Sequence, residues 1–118
     1  MQLGNLERSV MEALWEHPDG MFAHVLAAGL PSQPATTTVL TVLMRLSNKG
    51  MVSRERIGRA HLYKATADKD AFVAEAMRAA LDEAGDVAAA VQRFVGTVTP
   101  EVASALREAL GERDGSAP

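Results

Sequence analysis

Residues 36–65 read TTTVLTVLMRLSNKGMVSRERIGRAHLYKA, and this segment carries the strongest structural pattern in the chain. Its first half spaces apolar residues as i, i+3, i+4 and i+7, which is typical of one buried face of a helix. These residues are Val39, Val42, Leu43 and Leu46. The helix is predicted to run from Thr36 to Lys49, and Gly50 follows where a left-handed residue often ends a helix. Two β-type runs on either side of Gly58-Arg59 then predict a hairpin with a basic tip.

The residues before this segment predict two further helices. Asn5 suits an N-cap, and the helix that follows it ends at the turn of residues 17–20, His-Pro-Asp-Gly. Residues 21–22 are expected either to form a very short strand or to cover the core, and residues 23–28 to form a short second helix. Three helices followed by a two-stranded hairpin make a winged helix-turn-helix. Residues 1–66 are therefore predicted to be a DNA-binding domain in a mainly α protein.

Residues 67–118 predict a second, helical region that mediates dimerisation. Asp68 and Thr99 suit N-caps, each of three helices carries an apolar stripe, and the polar end from Gly111 is expected to fray. About 50 residues are too few to bury three stripes alone, so a second copy of the chain is the simplest cover. The alternative is that these helices fold back onto residues 1–66. The predicted dimerisation residues are Phe72, Met77, Leu81, Val91, Phe94, Val95, Val102, Leu106 and Leu110.

Charge is distributed unevenly along the 118 residues. The formal net charge is −3, yet residues 33–66 contain six lysines and arginines against one glutamate. A local basic patch, and not the total charge, determines whether a domain attracts phosphate groups. An ordinary solvated face is the other explanation of the same patch.

Composition excludes several classes of protein. The chain has no cysteine, which excludes disulfides, zinc ribbons, thiolate metal sensing and a cysteine nucleophile. Residues 1–4 have no signal-peptide character, and no apolar run approaches the roughly 20 residues that cross a bilayer. A cytoplasmic protein with no membrane segment is therefore expected.

The face of the 36–49 helix opposite its apolar stripe is the predicted base-reading surface. It offers short hydroxyl groups, an amide and a guanidinium, which suit base edges and phosphates. The residues are Thr37, Thr41, Met44 and Asn48, flanked by Thr38 and Arg45. Two alternatives stay open: the threonines merely cap the start of the helix, and Arg45 pairs with a nearby carboxylate.

The hairpin supplies the second predicted DNA contact. Arg54, Arg56 and Arg59 suit a wing that lies along the sugar–phosphate backbone, where charge sets affinity and register but not sequence. His61 is a further candidate for phosphate contact. Alternatively, the arginines only keep an exposed hairpin soluble, and His61 only fills the face of the hairpin.

Catalytic patterns are missing from the sequence. His17, His24 and His61 lack the spacing of metal ligands, and no glycine-rich phosphate loop is present. The carboxylates of the second half lie on the polar faces of amphipathic helices. The chain is therefore predicted not to be an enzyme and to need neither a metal nor a cofactor.

Three segments in order and at matching distances resemble the BlaI/MecI family of penicillinase and methicillin-resistance repressors. They are LGNLERSVMEALW at residues 3–15, TTVLTVLMRLSNKG at residues 37–50 and GRAHLY at residues 58–63. The likeness continues through Phe94-Val95 and the last helix. Leu40 and Met44 differ from the family, because polar or basic residues are common at their positions.

The resemblance implies a homodimer with intertwined C-terminal helices and one winged helix per subunit on a palindromic double-stranded DNA operator. It also implies repression of β-lactam-resistance or cell-envelope genes. Thr38, Thr41 and Arg45 take the positions of the family's recognition contacts, and Arg59 and His61 those of its wing. A regulatory protease relieves repression in the family by cutting before a Phe-Val pair, which here is the bond Arg93-Phe94. The copper-sensing branch uses C-terminal cysteines, which this chain lacks.

Two other functions compete with this interpretation. One is a winged-helix regulator that binds a small molecule at the dimer interface, although the second half of the chain offers few aromatic residues to line a pocket. The other is a winged helix used only for protein interaction. The second would show no salt-dependent affinity for DNA.

Overall fold

The computed structural model describes residues 3–116, and the burial of side chains up to residue 113. Residues 1–2, which contributed to the expectation of a cytoplasmic protein, lie outside this range. No helix within residues 3–116 is both long and apolar enough to cross a bilayer. The elements, in chain order, are α1 (Asn5–Glu16), β1 (Met21–Phe22), α2 (Ala23–Gly29), α3 (Thr36–Asn48), β2 (Val52–Ile57), β3 (Ala60–Ala65), α4 (Lys69–Asp82), α5 (Val87–Thr97) and α6 (Pro100–Ser116).

The chain divides into two compact units, Met1–Ala76 and Met77–Pro118. The first unit contains three helices and a small antiparallel sheet, so the predicted mainly α winged-helix fold is confirmed. The first unit also includes the beginning of α4, beyond the predicted boundary at residue 66. The predicted boundary separates a DNA-binding part from a dimerisation part. That assignment of functions stays a prediction.

The core of the first unit lies where α1, α2 and α3 meet. All four residues of the predicted α3 stripe are buried, which confirms the helical period read from the sequence. Gly50 has a φ of +77°, so the predicted left-handed end of this helix is also confirmed. The largest fully buried side chains are Met11, Leu14, Leu26, Leu43, Leu46, Val10 and Val39.

The sheet has three strands, in the order β1-β3-β2, and not only the two of the predicted hairpin. The short strand β1 pairs antiparallel with β3, with Met21 opposite Tyr63. Gly20 leads into β1 with a φ of +101°, and a Cβ atom there would lie 2.8 Å from Leu62 Cγ. Glycine therefore suits this position both in backbone conformation and in space. Strand β1 thus connects the hairpin to the helical core, because it pairs with β3 and runs directly into α2.

The start of α1 differs from the prediction. The helix is capped by Gly4 and not by Asn5, which already belongs to the helix. The Glu7 carboxylate accepts a hydrogen bond from the Gly4 backbone N–H at 3.0 Å. The start of α1 is thus stabilised by the Glu7 side chain, three residues after the cap, and not by the Asn5 side chain.

The helices after the sheet begin where the sequence predicts. The Asp68 carboxylate accepts from the Ala71 N–H at 2.9 Å, and the Thr99 hydroxyl accepts from the Val102 N–H at 3.2 Å. The chain was predicted to fray from Gly111. This prediction is wrong for the residues up to Ser116, because α6 continues to Ser116. One glycine costs a helix only about 1 kcal/mol, which is too little to end it.

Candidate nucleic-acid interface

The face of α3 opposite the core is open to solvent. All six predicted contact residues on this helix are exposed: Thr37, Thr38, Thr41, Met44, Arg45 and Asn48. Ala35 is the N-cap, and no described side chain hydrogen-bonds to the backbone there, so the threonines do not serve as caps. The Thr41 hydroxyl donates to the Thr37 carbonyl oxygen at 3.1 Å. Capping therefore does not explain the threonines at the start of α3.

Arg45 is not held by an ion pair with any residue that the structure describes. The neighbouring basic residue Lys49 is held, since its ammonium lies 2.7 Å from the Glu7 carboxylate. The hydrogen bond from Lys49, and after it that from the Gly4 N–H, keep the pKa of Glu7 below its ordinary value. Lys49 thus ties the end of α3 to the start of α1, whereas Arg45 makes no direct ion pair with Glu7 and lowers its pKa only through weaker electrostatic attraction.

The register of the hairpin places two of its arginines on one side. Arg54 lies opposite Tyr63, and Arg56 lies opposite His61. Because side chains alternate between the two sides of a strand, these four share one face of the hairpin. Glu55, the one acidic residue of segment 33–66, lies on the other face, and so does Lys64.

The tip of the hairpin is shaped by its own arginine. The Arg56 Nε donates to the Gly58 carbonyl oxygen at 3.1 Å, so this side chain helps to hold the turn. Arg59 is exposed at the tip and makes no ion pair among the described residues. Arg59 is therefore better placed than Arg56 to meet a phosphate.

An open groove of about 500 Å³ joins α3 to the hairpin. It brings together four of the predicted contact residues, Thr41, Met44, Asn48 and Arg54. Thr38 and Arg45 do not line it, which agrees with their place on the flank of α3 at about 100° per residue. The remaining lining residues, which were not among the predicted contacts, are Leu40, Ser47 and Tyr63.

Leu40 is the residue that sequence reasoning should have placed in the site. It is 41% exposed, although leucine is typical of a core. Its position outside the spacing of the buried stripe was the available signal. Tyr63, in contrast, enters the site only through strand pairing, which the helical period does not reveal.

Most of the predicted dimerisation residues are exposed in the single chain. Neither α4 nor α5, both wholly within the described residues, contains a buried residue. The exposed predicted residues are Met77, Leu81, Val91, Phe94, Val95, Val102 and Leu110. Leu106 is half-buried.

Phe72 has a partner within its own unit. Its ring lies 5.2 Å from the Trp15 ring, between centroids. The Trp15 Nε1 donates to the Ala67 carbonyl oxygen at 3.1 Å, and the Lys69 ammonium lies 3.0 Å from Glu12. These contacts attach the start of α4 to α1. The predicted role of Phe72 in dimerisation stays a prediction.

The predicted cleavage bond lies inside a helix. Arg93 and Phe94 are both exposed and belong to α5. A protease that binds its substrate in an extended conformation would have to unwind this helix first.

The sequence pattern of the penicillinase repressor family matches residues 3–112 of the chain. The transcriptional regulator BlaI of Mycobacterium tuberculosis, in strains CDC 1551 and H37Rv, is 39% identical over 116 residues. That match covers 94% of this chain and 84% of the mycobacterial protein.

Solved structures show the same fold. The solution structure of the DNA-binding domain of the repressor BlaI is 27% identical, with a TM-score of 0.52, over 58% of this chain and 84% of that one. Staphylococcus aureus MepR, a transcription regulator of the multidrug efflux pump MepA, is 21% identical with a TM-score of 0.54. It covers 98% of this chain and 80% of its own, and at this identity the likeness concerns the fold alone.

Proposed function

The chain belongs to the penicillinase repressor family, and from this membership we propose that it represses transcription as a homodimer on a palindromic operator. Members of this family are transcriptional regulators and not enzymes. The proposal concerns the mode of DNA binding, the dimer, the regulated genes and the relief of repression.

The observation that carries the proposal is the continuous surface formed by α3 and the hairpin. Exposed Thr41 and Met44 on α3 and Arg54 on β2 line the same groove. An α3 laid in the major groove would place Arg54 and Arg59 beside the flanking phosphates. The positive charge of these arginines fits a polyanionic partner.

Dimerisation is proposed to use the exposed stripes of α4, α5 and α6. Contiguous apolar surface on a small protein marks an interface, and a two-fold axis covers the same patch on both copies. Two winged helices related by such an axis read two equivalent half-sites. The operator is therefore proposed to be palindromic.

The proposed targets are β-lactam-resistance or cell-envelope genes, following the family that the chain resembles. Relief of repression is proposed to be cleavage by a regulatory protease at Arg93-Phe94. This cut divides α5 and separates Phe94 and Val95 from Val91 of the same stripe. The cut therefore weakens the dimer and, with it, DNA binding.

The test is selection of random-sequence duplexes by the full-length protein. We expect enrichment of a palindrome whose half-sites are about one helical turn, roughly 10 base pairs, apart or a multiple of it. Binding should weaken steeply as salt rises, because bound phosphates release counterions. A protein that enriches no sequence, and whose weak DNA binding does not depend on salt, would instead be a protein-interaction module.

The wing is tested with the double variant Arg54→Ala and Arg59→Ala. Each lost phosphate contact should lower the slope of log affinity against log salt by about 0.9, on the selected palindrome and on random DNA alike. Arg8→Ala, which removes an exposed arginine from α1, serves as the control and should leave the slope unchanged. An unaltered slope in the double variant would show that the wing does not reach the backbone.

Arg45→Ala should lower affinity for the selected palindrome by about 1–3 kcal/mol, as expected for a lost bidentate base contact. The loss on random DNA should be smaller, since phosphate contacts remain. The melting temperature should stay close to that of the parent protein, because Arg45 makes no ion pair among the described residues. Equal losses on both DNAs with a lowered melting temperature would assign Arg45 a structural role.

A small-molecule sensor has less support. The first unit has a cavity of about 240 Å³ whose lining includes Met11, Trp15, Met51 and Phe72. This volume lies below the usual range of about 300–1,000 Å³ for ligand pockets. The ammonium of Lys49 at this cavity already pairs with Glu7. No observation on the described residues therefore favours this function over DNA binding.

A further inference from the structure

We propose that Leu40 and Met44 give this protein its sequence preference by packing against thymine 5-methyl groups in the major groove. This inference rests on the proposed function, since it assumes that α3 binds DNA. It goes further by naming the chemical feature of the bases that this chain recognises.

Exposure of both side chains is the first observation. Leu40 is 41% exposed and Met44 is 60% exposed, although they stand on the same helix as four buried apolar residues. Four residues apart, they lie one above the other on one face of α3. Neither is needed to fill the core, and together they leave apolar surface in contact with water. A partner that covers this surface gains the free energy of removing it from water.

The groups around them form the second observation. The Thr41 hydroxyl already donates to the Thr37 carbonyl oxygen, and Thr41 lines the same groove as the two apolar side chains. Strong hydrogen-bond donors stand at the margins, with Arg45 on one flank and Arg54 across the groove. Leu40 and Met44 are therefore the apolar side chains that α3 contributes to a groove whose hairpin side carries Arg54.

The chemical groups of the base pairs determine what Leu40 and Met44 can recognise in the major groove. In the major groove the four base pairs differ in hydrogen-bond donors and acceptors, and thymine alone adds a methyl group. Leucine and methionine side chains offer no hydrogen-bond donor, so the thymine methyl is the feature that they recognise. The arginines at the margins favour DNA over a protein surface as the occupant, because the phosphates lie on both sides of the groove.

The experiment replaces thymine by uracil, which removes only the methyl group. A palindrome is first selected from random duplexes by the full-length protein, and each thymine of a half-site is then replaced singly by deoxyuridine. At one or two positions the dissociation constant should rise roughly fourfold, the value expected for one buried methyl-sized group. Deoxyuridine outside the half-sites should have no effect.

Protein variants connect the effect to the two residues. In Met44→Ala or Leu40→Ala the penalty for deoxyuridine at one thymine should disappear, because the side chain that covered the methyl is gone. Val25→Ala is the matched control: Val25 is an apolar residue of α2 that is 44% exposed, and its removal should leave the penalty unchanged. Melting temperatures of the three variants verify that each remains folded.

The outcomes separate this inference from the function on which it rests. A selected half-site without thymine, deoxyuridine that is tolerated at every position, or a penalty that persists in both α3 variants would overturn the role of Leu40 and Met44. All three results would leave DNA binding by α3 intact. Failure of the parent protein to select any sequence would overturn the proposed function and this inference together.

Discussion

Replacing Val91 and Phe94 together by glutamate should convert the protein to a monomer and lower its affinity for the selected palindrome by roughly 10²–10⁴-fold. Both residues are exposed in the single chain, and Phe94 keeps 46% of its surface open to solvent. In a two-fold dimer the substitutions place four carboxylates in an apolar interface. Burial of unpaired charge costs several kcal/mol per group, so the substitutions oppose association.

Loss of the dimer explains the size of the expected loss in affinity. Two linked winged helices bind the second half-site at a high effective concentration, and a monomer loses this advantage without losing any contact to its own half-site. Sedimentation at micromolar concentration measures the first effect, and a shift assay on the palindrome measures the second. Affinity for an isolated half-site should remain that of the parent protein.

The matched control adds the same charge to the other side of the helix. Ala89→Glu together with Gln92→Glu places two carboxylates on α5, at exposed positions about half a turn from Val91 and Phe94. This variant should remain dimeric and bind the palindrome. A dimer that survives Val91→Glu and Phe94→Glu would show that α5 does not form the interface.

Elements with a regular period could be predicted from the sequence alone. The stripe of α3 follows from the spacing of Val39, Leu43 and Leu46, because one turn of helix brings residues three and four apart to the same side. The hairpin follows from Gly58 between two β-type runs. The caps Asp68 and Thr99 follow from side chains that accept hydrogen bonds three residues ahead.

Contacts between distant residues could not be predicted in this way. The pairing of β1 with β3 joins Met21 to Tyr63, and Trp15 donates to the carbonyl oxygen of Ala67. Nothing local in either segment specifies its partner, because both depend on how the helices pack. The pair between Glu7 and Lys49 is of the same kind, because it joins the start of α1 to the end of α3.

In the candidate site, too, local periodicity could be predicted and contacts between distant residues could not. The helical period alone predicted exposed Thr41 and Met44. Their juxtaposition with Arg54 depends on the register of the sheet, and so does the place of Tyr63 in the groove. Leu40 was missed as a contact residue because leucine on an amphipathic helix is usually part of the core.

The same substitution at two positions of α3 should have very different effects on stability. Leu43→Ala should lower the free energy of unfolding by about 2–5 kcal/mol, the usual cost of a fully buried leucine. Leu43 has no exposed surface, and it packs in the core with residues of α1 and α2. The loss combines apolar surface no longer buried with a cavity that the neighbours fill only in part. A small domain is stable by about 5–15 kcal/mol, so the variant loses a large fraction of its stability.

Leu40→Ala is the control for this prediction, because it removes the same atoms from the opposite face of the same helix. Alanine and leucine are both good helix formers, so the helix itself is little affected. The free energy of unfolding should change by less than about 1 kcal/mol, since Leu40 is 41% exposed and lies outside the core. Urea denaturation of both variants measures the difference. Similar losses at the two positions would contradict the placement of Leu43 in the core and Leu40 at the surface. A large loss at Leu40 alone would mean that the Leu40 face, and not the Leu43 face, packs against the core.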